Sequence, residues 1–188
     1  SFSWRDHDLL APSWNQHVPK YCGACFAFGA AHALQDRAKI ARARVKDDAY
    51  TGPDLLVAVQ VLLNCGGEDS GWGKAGNCHE GGSATSAYKW AKNFNGWPSA
   101  TCFPYQAVDG LGCSGDTICR NCMPTTGGEH ACWAVPGDAG DAHPCDNGGE
   151  CATSPYPRIV VAEHGKLPGS HEVGARKASE AIQREIIR

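Results

Sequence analysis

The stretch Asn15-Gln16-His17-Val18-Pro19-Lys20-Tyr21-Cys22-Gly23-Ala24-Cys25-Phe26-Ala27-Phe28 decides how this chain reads. Its first half is polar, carries a proline and shows no apolar alternation, so it reads as a loop. From Cys25 the pattern turns helical: Phe26, Ala30, Ala33, Leu34, Arg37 and Ile40 recur at i, i+3, i+4 spacing, with Ala27, Ala31 and Ala38 small enough for close packing. Lys39, Arg42 and Arg44 suit the far end of that helix. A cysteine therefore falls at a helix N-terminus. A thiol there feels the positive end of the macrodipole and gives up its proton more readily, and the thiolate is the nucleophilic form.

A chain of 188 residues is enough for one sizeable domain, or one domain and part of another. The net charge of -3 gives no indication of nucleic acid or an anionic membrane as partner. The apolar runs are too short to span a bilayer. With 23 glycines and few helical stretches, a loop-rich fold is expected. Eleven cysteines point to an oxidising compartment and a disulfide framework. Their odd number leaves one over, either for an intermolecular bond or as a free reactive thiol. No Asn-x-Ser/Thr triplet occurs, and no signal peptide precedes Ser1, so the chain reads as mature.

Outward from the opening stretch, Ser1 to Ser13 reads as a surface segment. A second helix is expected from about Pro53 to Leu63, with Leu55, Leu56, Val59 and Leu62 or Leu63 on one face and Asn64-Cys65-Gly66-Gly67 as its stop. Ser83 to Asn93 reads as a third, short helix, capped by Ser83, with Ala87, Tyr88 and Ala91 inward. Trp97 to Cys132 reads as loops held by disulfides, and Pro136 to Pro155 as a Gly/Asp/Pro-rich loop. The β-branched run Arg158-Ile159-Val160-Val161-Ala162 reads as a buried strand. A last amphipathic helix is expected from near His171, with Ala178, Ile182 and Ile186 as its stripe. It meets no stop signal at Arg188, so the chain reads as cut. Trp4, Trp72, Trp90 and Trp97 are expected in packing, and His7, His32, His79, His130 and His143 on the surface or in loops.

Cys22-Gly23-Ala24-Cys25-Phe26 resembles the active-site segment of the papain-like cysteine proteases, Cys-Gly-[Ser/Ala]-Cys-[Trp/Tyr], with Phe in place of Trp. An upstream Gln completes the likeness. Here five residues, His17 to Tyr21, separate Gln16 from the Cys-Gly-x-Cys turn, where most of the family has two. Gln-His-Val-Pro-x-Tyr-Cys-Gly looks like the mini-loop of the cathepsin X (cathepsin Z) branch, which are carboxypeptidases. Ala33-Leu34-Gln35-Asp36-Arg37 and Thr101-Cys102 with Tyr105-Gln106-Ala107 are similar to that branch as well, and the cysteines at 113, 119, 122 and 132 fall near its spacings.

The resemblance implies an α+β, two-domain papain-like fold. A helical, disulfide-rich left domain would occupy 1–135, with the mini-loop at 17–21. A Gly/Asp/Pro-rich insertion would follow at 136–157. Residues 158–188 would be the first strand and helix of a β-rich right domain that is incomplete in this chain. The implied catalytic residues are Cys25 as nucleophile and Gln16 as oxyanion donor beside the Cys25 N–H. His17 and Tyr21 would bind the substrate's C-terminal carboxylate, to which an imidazole N–H is a charge-assisted donor. Gly81 and Gly82 would pair with extended substrate, although Cys78-His79-Glu80-Gly81-Gly82 has one residue more than the family's Cys-x-Gly-Gly. Implied disulfides are Cys22–Cys78, Cys65–Cys113, Cys102–Cys119 and Cys122–Cys132, with Cys145–Cys151 a private pair and Cys25 left free. No metal or cofactor is implied. The implied partners are a peptide or protein substrate and a second chain carrying the rest of the right domain; the implied location is lysosomal, another acidic endomembrane compartment, or secreted.

The same residues admit other readings. A thioredoxin-like Cys-Gly-x-Cys needs a preceding β-strand, which Trp14 to Tyr21 does not resemble. A zinc site at Cys119 and Cys122 lacks a second pair at ribbon spacing. A papain-like thiolate needs an imidazole base and an orienting Asn, at roughly 130–150 residues downstream. His164 and His171 fall in that window, but His164 opens a turn, Gly-Lys-Leu-Pro-Gly, rather than a hydrophobic strand, and neither is assigned as base. The family's Asn-Ser-Trp-Gly segment is not found either. The competing class is therefore a catalytically incomplete papain-like protein with a binding or structural role.

Overall fold

The computed structural model describes residues 2–45, 54–67, 71–124, 130–134 and 156–187. The insertion expected at 136–157, with Cys145, Cys151 and His143, lies outside the described residues except for Tyr156 and Pro157.

The longest element, α1 (Cys25–Val45), forms where the sequence predicts it. Its buried face differs from the expected stripe. Phe26, Ala27, Phe28, Ala30, Ala31, Gln35 and Ile40 are buried, whereas Ala33 and Arg37 face outward. Burial of Gln35 has a specific cause: its Oε1 accepts the Val57 N–H at 2.9 Å, which satisfies a backbone donor inside the core.

That bond also explains why the second helix starts late. α2 spans Val59–Cys65, not Pro53 to Leu63. Val57 instead bridges Ser99, the Ala58 N–H donates to Pro98 O at 2.8 Å, and the Ala100 N–H donates to Leu56 O at 2.7 Å. Backbone groups of 56–58 that a helix would have used are thus committed to a distant segment. α2 ends at Gly66, where any side chain would press against Leu62 O and Ala75 Cβ.

Two residues on α2 hold the loops that follow. Gln60, fully buried, donates through Nε2 to Asn64 Oδ1 at 2.9 Å and to Val108 O at 2.7 Å, and its Oε1 accepts the Gln106 N–H at 3.0 Å. Asn64 Nδ2 donates to Thr117 O at 2.9 Å.

A short antiparallel pair follows, β1 (Gly76–Asn77) with β2 (Gly81–Gly82), in the register Gly76 opposite Gly82 and Asn77 opposite Gly81. Next, α3 (Ala84–Asn93) carries Ser83 as N-cap, its hydroxyl accepting the Ser86 N–H at 3.0 Å. Ala87 and Ala91 point inward; Tyr88 is half-buried and donates to Ala30 O. The core centres on Trp90, stacked on Phe94 and edge-on to Trp97. Both indoles find acceptors, Trp90 in Cys65 O and Trp97 in Ala58 O, each at 2.9 Å.

The chain continues through β3 (Trp97–Pro98), the single turn α4 (Gly115–Ile118) and the hairpin β4 (Arg120–Pro124) with β5 (His130–Ala134). The five-residue strand expected at 158–162 is only β6 (Arg158–Ile159), paired with β3; Val160 is exposed and Val161 is buried. The last helix is likewise divided. α5 (Ser170–Val173) stops at Gly174, whose φ of +82 favours a glycine, and α6 (Ala175–Ile187) follows. Of the predicted stripe only Ala178 is buried; Ile182 and Ile186 are exposed. α6 meets the N-terminal segment through Trp4 Nε1, which donates to Ile186 O at 2.7 Å, and meets α1 through the Arg37–Glu185 ion pair.

Candidate active site

Three disulfides hold the described residues, Cys22–Cys78, Cys65–Cys113 and Cys102–Cys119. Cys119 is thereby committed to Cys102, which leaves no place for a zinc reading with Cys122. The β4–β5 register sets the backbone of Cys122 opposite that of Cys132. Among the described residues Cys25 is the free cysteine, and it is exposed.

Cys25 is the first residue of α1, and Ala24 O already accepts the N–H groups of Ala27 and Phe28. The opening N–H groups of a helix have no intrahelical acceptor, so the Cys25 N–H is available to a ligand. The turn before it is pinned twice. Cys22 is bonded to Cys78, and the Gly23 N–H donates to Cys78 O at 2.8 Å. Approach is so close that a Cβ on Gly23 would lie 2.7 Å from that oxygen. On the other side Cys78 is held by Asp109, whose carboxylate accepts the Cys78 N–H at 3.0 and 2.8 Å.

The loop that carries Gln16 closes on itself. Asn15 Oδ1 accepts the His17 N–H at 2.9 Å, and Gln16 Nε2 donates to Cys22 O at 3.2 Å. The Cys22 N–H donates to His17 Nδ1 at 3.4 Å, which makes Nδ1 the acceptor and puts the proton of a neutral ring on Nε2. In that tautomer the Nε2 atoms of Gln16 and His17, 3.4 Å apart, are both donors. They lie side by side instead of bonding each other. The Tyr21 ring stacks on His17, with centroids 4.7 Å apart and planes 6° apart. Tyr21 is 78% exposed, so the pair stands open to solvent.

Gly81 and Gly82 belong to the same cluster. A Cβ on Gly81 would lie 3.8 Å from Gly23 O. Gly82 and Gly76 sit against the ring of Phe26, the residue after Cys25. The additional residue between Cys78 and Gly81 is taken up in a tight turn, where Asn77 Oδ1 accepts the N–H groups of His79 and Glu80 at 2.9 and 2.6 Å.

His164 and His171 are both exposed, and His171 Nε2 lies 3.4 Å from Glu172 on its own helix. His32 is not a surface residue. It is half-buried on α1, edge-on to Phe28, and burial lowers its pKa below the ordinary imidazole value, with Asp36 opposing. Sequence reasoning missed two residues of the cluster, Tyr105 and Asp109. Tyr105 Oη donates to Gln16 O at 2.8 Å. Its motif, Tyr105-Gln106-Ala107, is visible in the sequence but carries no role there; Asp109 has no sequence signal.

The sequence profile of the papain family cysteine proteases matches residues 1–144. Cathepsin Z of Onchocerca volvulus is 42% identical over 110 residues, which is 58% of this chain and 31% of that protein. Cathepsin S of Bos taurus is 30% identical over 110 residues, 58% of this chain and 28% of that protein. A digestive procathepsin L2 proteinase from Tenebrio molitor larval midgut superposes with a TM-score of 0.49 at 28% identity, over 63% of this chain and 32% of that one.

The chain belongs to the papain family of cysteine proteases. It carries the family's mixed helix and strand content, and it spans about a third of the length of the curated relatives it matches.

Proposed function

We propose that this chain supplies the nucleophile half of a cysteine carboxypeptidase. Supporting this most directly is the thiol of Cys25, exposed and unbridged among the described residues, at the first residue of α1 and three positions past Cys22, whose N–H bonds the imidazole of the stacked His17–Tyr21 pair. The Cys25 thiolate attacks the carbonyl carbon of the last peptide bond. The Cys25 N–H and the Gln16 amide receive the oxyanion. The C–N bond breaks as the departing amine takes a proton, and water then hydrolyses the thioester and frees the thiol. The His17 Nε2–H and the Tyr21 hydroxyl bind the terminal carboxylate, which restricts cleavage to single C-terminal residues.

An imidazole base and its orienting Asn are needed for this chemistry. Neither His164 nor His171 is proposed for the task. Both groups come from the remainder of a right domain, in a second chain or in a continuation of this one, with 1–135 forming the left domain. The disulfides fit an oxidising compartment, lysosomal or secreted. Among the described residues no helix is long and apolar enough to cross a membrane.

A binding or structural protein that keeps the fold without the chemistry is the second reading, favoured by the exposed settings of His164 and His171. Labelling of the native full-length protein with a thiol-directed epoxide separates the two. The peptidase reading expects stoichiometric adduct at Cys25 and loss of activity on peptides with a free C-terminus. An unlabelled Cys25 would sink it.

A further inference from the structure

The candidate oxyanion donor Gln16 sits on a loop, six residues ahead of Cys22, and a side chain on a loop needs its backbone held if it is to act as a preorganised donor. Gln16 Nε2 reaches Cys22 O, but that bond restrains only the amide end. Its main chain is held from elsewhere. Tyr105, 89 residues away, donates its hydroxyl to Gln16 O at 2.8 Å. The Tyr105 ring packs at 88° against Phe28 of α1, centroids 4.9 Å apart. Phe28 lies three residues beyond Cys25 on the same helix. One side chain therefore ties the loop bearing Gln16 to the helix bearing the thiol.

We propose that Tyr105 is a positioning residue for oxyanion stabilisation, fixing the Gln16 backbone relative to Cys25. The proposal rests on the peptidase reading above. Burial, reinforced by the Asp109 carboxylate, pushes the Tyr105 phenol up to about 12, so it stays a proton donor wherever the enzyme would work. Asp109 adds a second function to the same span: while it holds the Cys78 N–H, Cys78 holds Gly23. Tyr105 and Asp109 thus brace the two ends of the loop from Gln16 to Gly23, one at its start and one at its finish.

Tyr105→Phe in the full-length protein tests this, since the ring stays on Phe28 and one hydroxyl is lost. Two reagents separate positioning from folding. A peptide aldehyde binds by addition of Cys25 Sγ to its carbonyl carbon, giving a hemithioacetal whose oxygen occupies the oxyanion position. Iodoacetamide alkylates Sγ with loss of iodide and forms no oxyanion. The expected result is about tenfold weaker aldehyde binding and a kcat lowered by a similar factor, as a fraction of the 10²–10³ that a lost oxyanion donor costs. KM and the alkylation rate stay unchanged. In a Gln16→Ala background the Tyr105→Phe change has no further effect on aldehyde binding, because its partner's function is already gone. Equal aldehyde binding by wild type and Tyr105→Phe overturns the proposal, as does an equal loss in the Gln16→Ala background. A wild type that reacts with iodoacetamide but binds no aldehyde overturns the peptidase reading and this inference with it.

Discussion

His17 and Tyr21 stack as parallel rings, 6° apart in plane and 4.7 Å between centroids, across a loop only five residues long. The stack fixes the imidazole plane, and the Cys22 N–H on Nδ1 fixes which nitrogen carries the proton. On the proposed reading, Nε2–H is then ordered as a donor before a carboxylate binds.

His17→Ala should therefore remove a charge-assisted hydrogen bond worth about 1.5–3 kcal/mol, roughly 10- to 100-fold in kcat/KM on peptides with a free C-terminus. C-terminally amidated peptides should be cleaved as slowly as before. Steady-state kinetics on matched acid and amide substrates reads this directly; equal losses on both would remove His17 from carboxylate recognition.

Two glycines should respond to alanine with opposite signs. A Cβ on Gly82 would meet Ala75 O and lie 2.7 Å from Phe26 Cδ2, neither of which can retreat without moving the core. Gly82→Ala should cost about 1–3 kcal/mol. Gly29 lies on the exposed side of α1 with nothing within 4 Å of its Cβ position, and Gly29→Ala should gain about 1 kcal/mol of helix propensity. Urea midpoints of the two variants must straddle the wild type.

Gln60→Met keeps nearly the same volume and deletes an amide that serves Asn64, Val108 and Gln106. Three polar atoms, one buried and two half-buried, lose a partner at once. We expect a loss of about 2–4 kcal/mol, at the upper end for a side chain whose replacement opens no cavity. A loss below about 1 kcal/mol in chemical denaturation would contradict the hub described for α2.

Acid should weaken the fold through His32. Its folded-state pKa lies below the ordinary 6.5, first because of burial and against the pull of Asp36. The unfolded chain thus takes up the proton at higher pH than the folded chain does. Stability contributed by the neutral ring is present above 6.5 and falls as pH drops through the folded value. His32→Gln should flatten the decline of the urea midpoint between pH 7 and 5. An unchanged slope would mean that other groups set it.

The parts of the fold that local chemistry decides were legible in the sequence. The helix start at Cys25 and the Ser83 cap are such parts, and the odd cysteine agrees with a free Cys25. The late start of α2 was not. Val57 is drawn out of the helix by Gln35 and Ser99, partners 22 and 42 positions away, and no local pattern announces either. The β-branched run from Arg158 reads as a buried strand, but only two of its residues find a partner in β3. At the candidate site, the resemblance to the papain-like proteases singled out Gln16, His17 and Tyr21. Tyr105 and Asp109 could not be given roles, since each acts through a backbone group far away in the sequence.

The Asn77-capped turn offers a practical foothold. Its extra residue lies in the turn between β1 and β2, and the pairing of Gly76 with Gly82 and of Asn77 with Gly81 is kept below it. His79 is exposed and tied through Cys78 to the turn before the thiol. A reporter group attached there would stand at the rim of the cluster around Cys25 without replacing any residue that builds it.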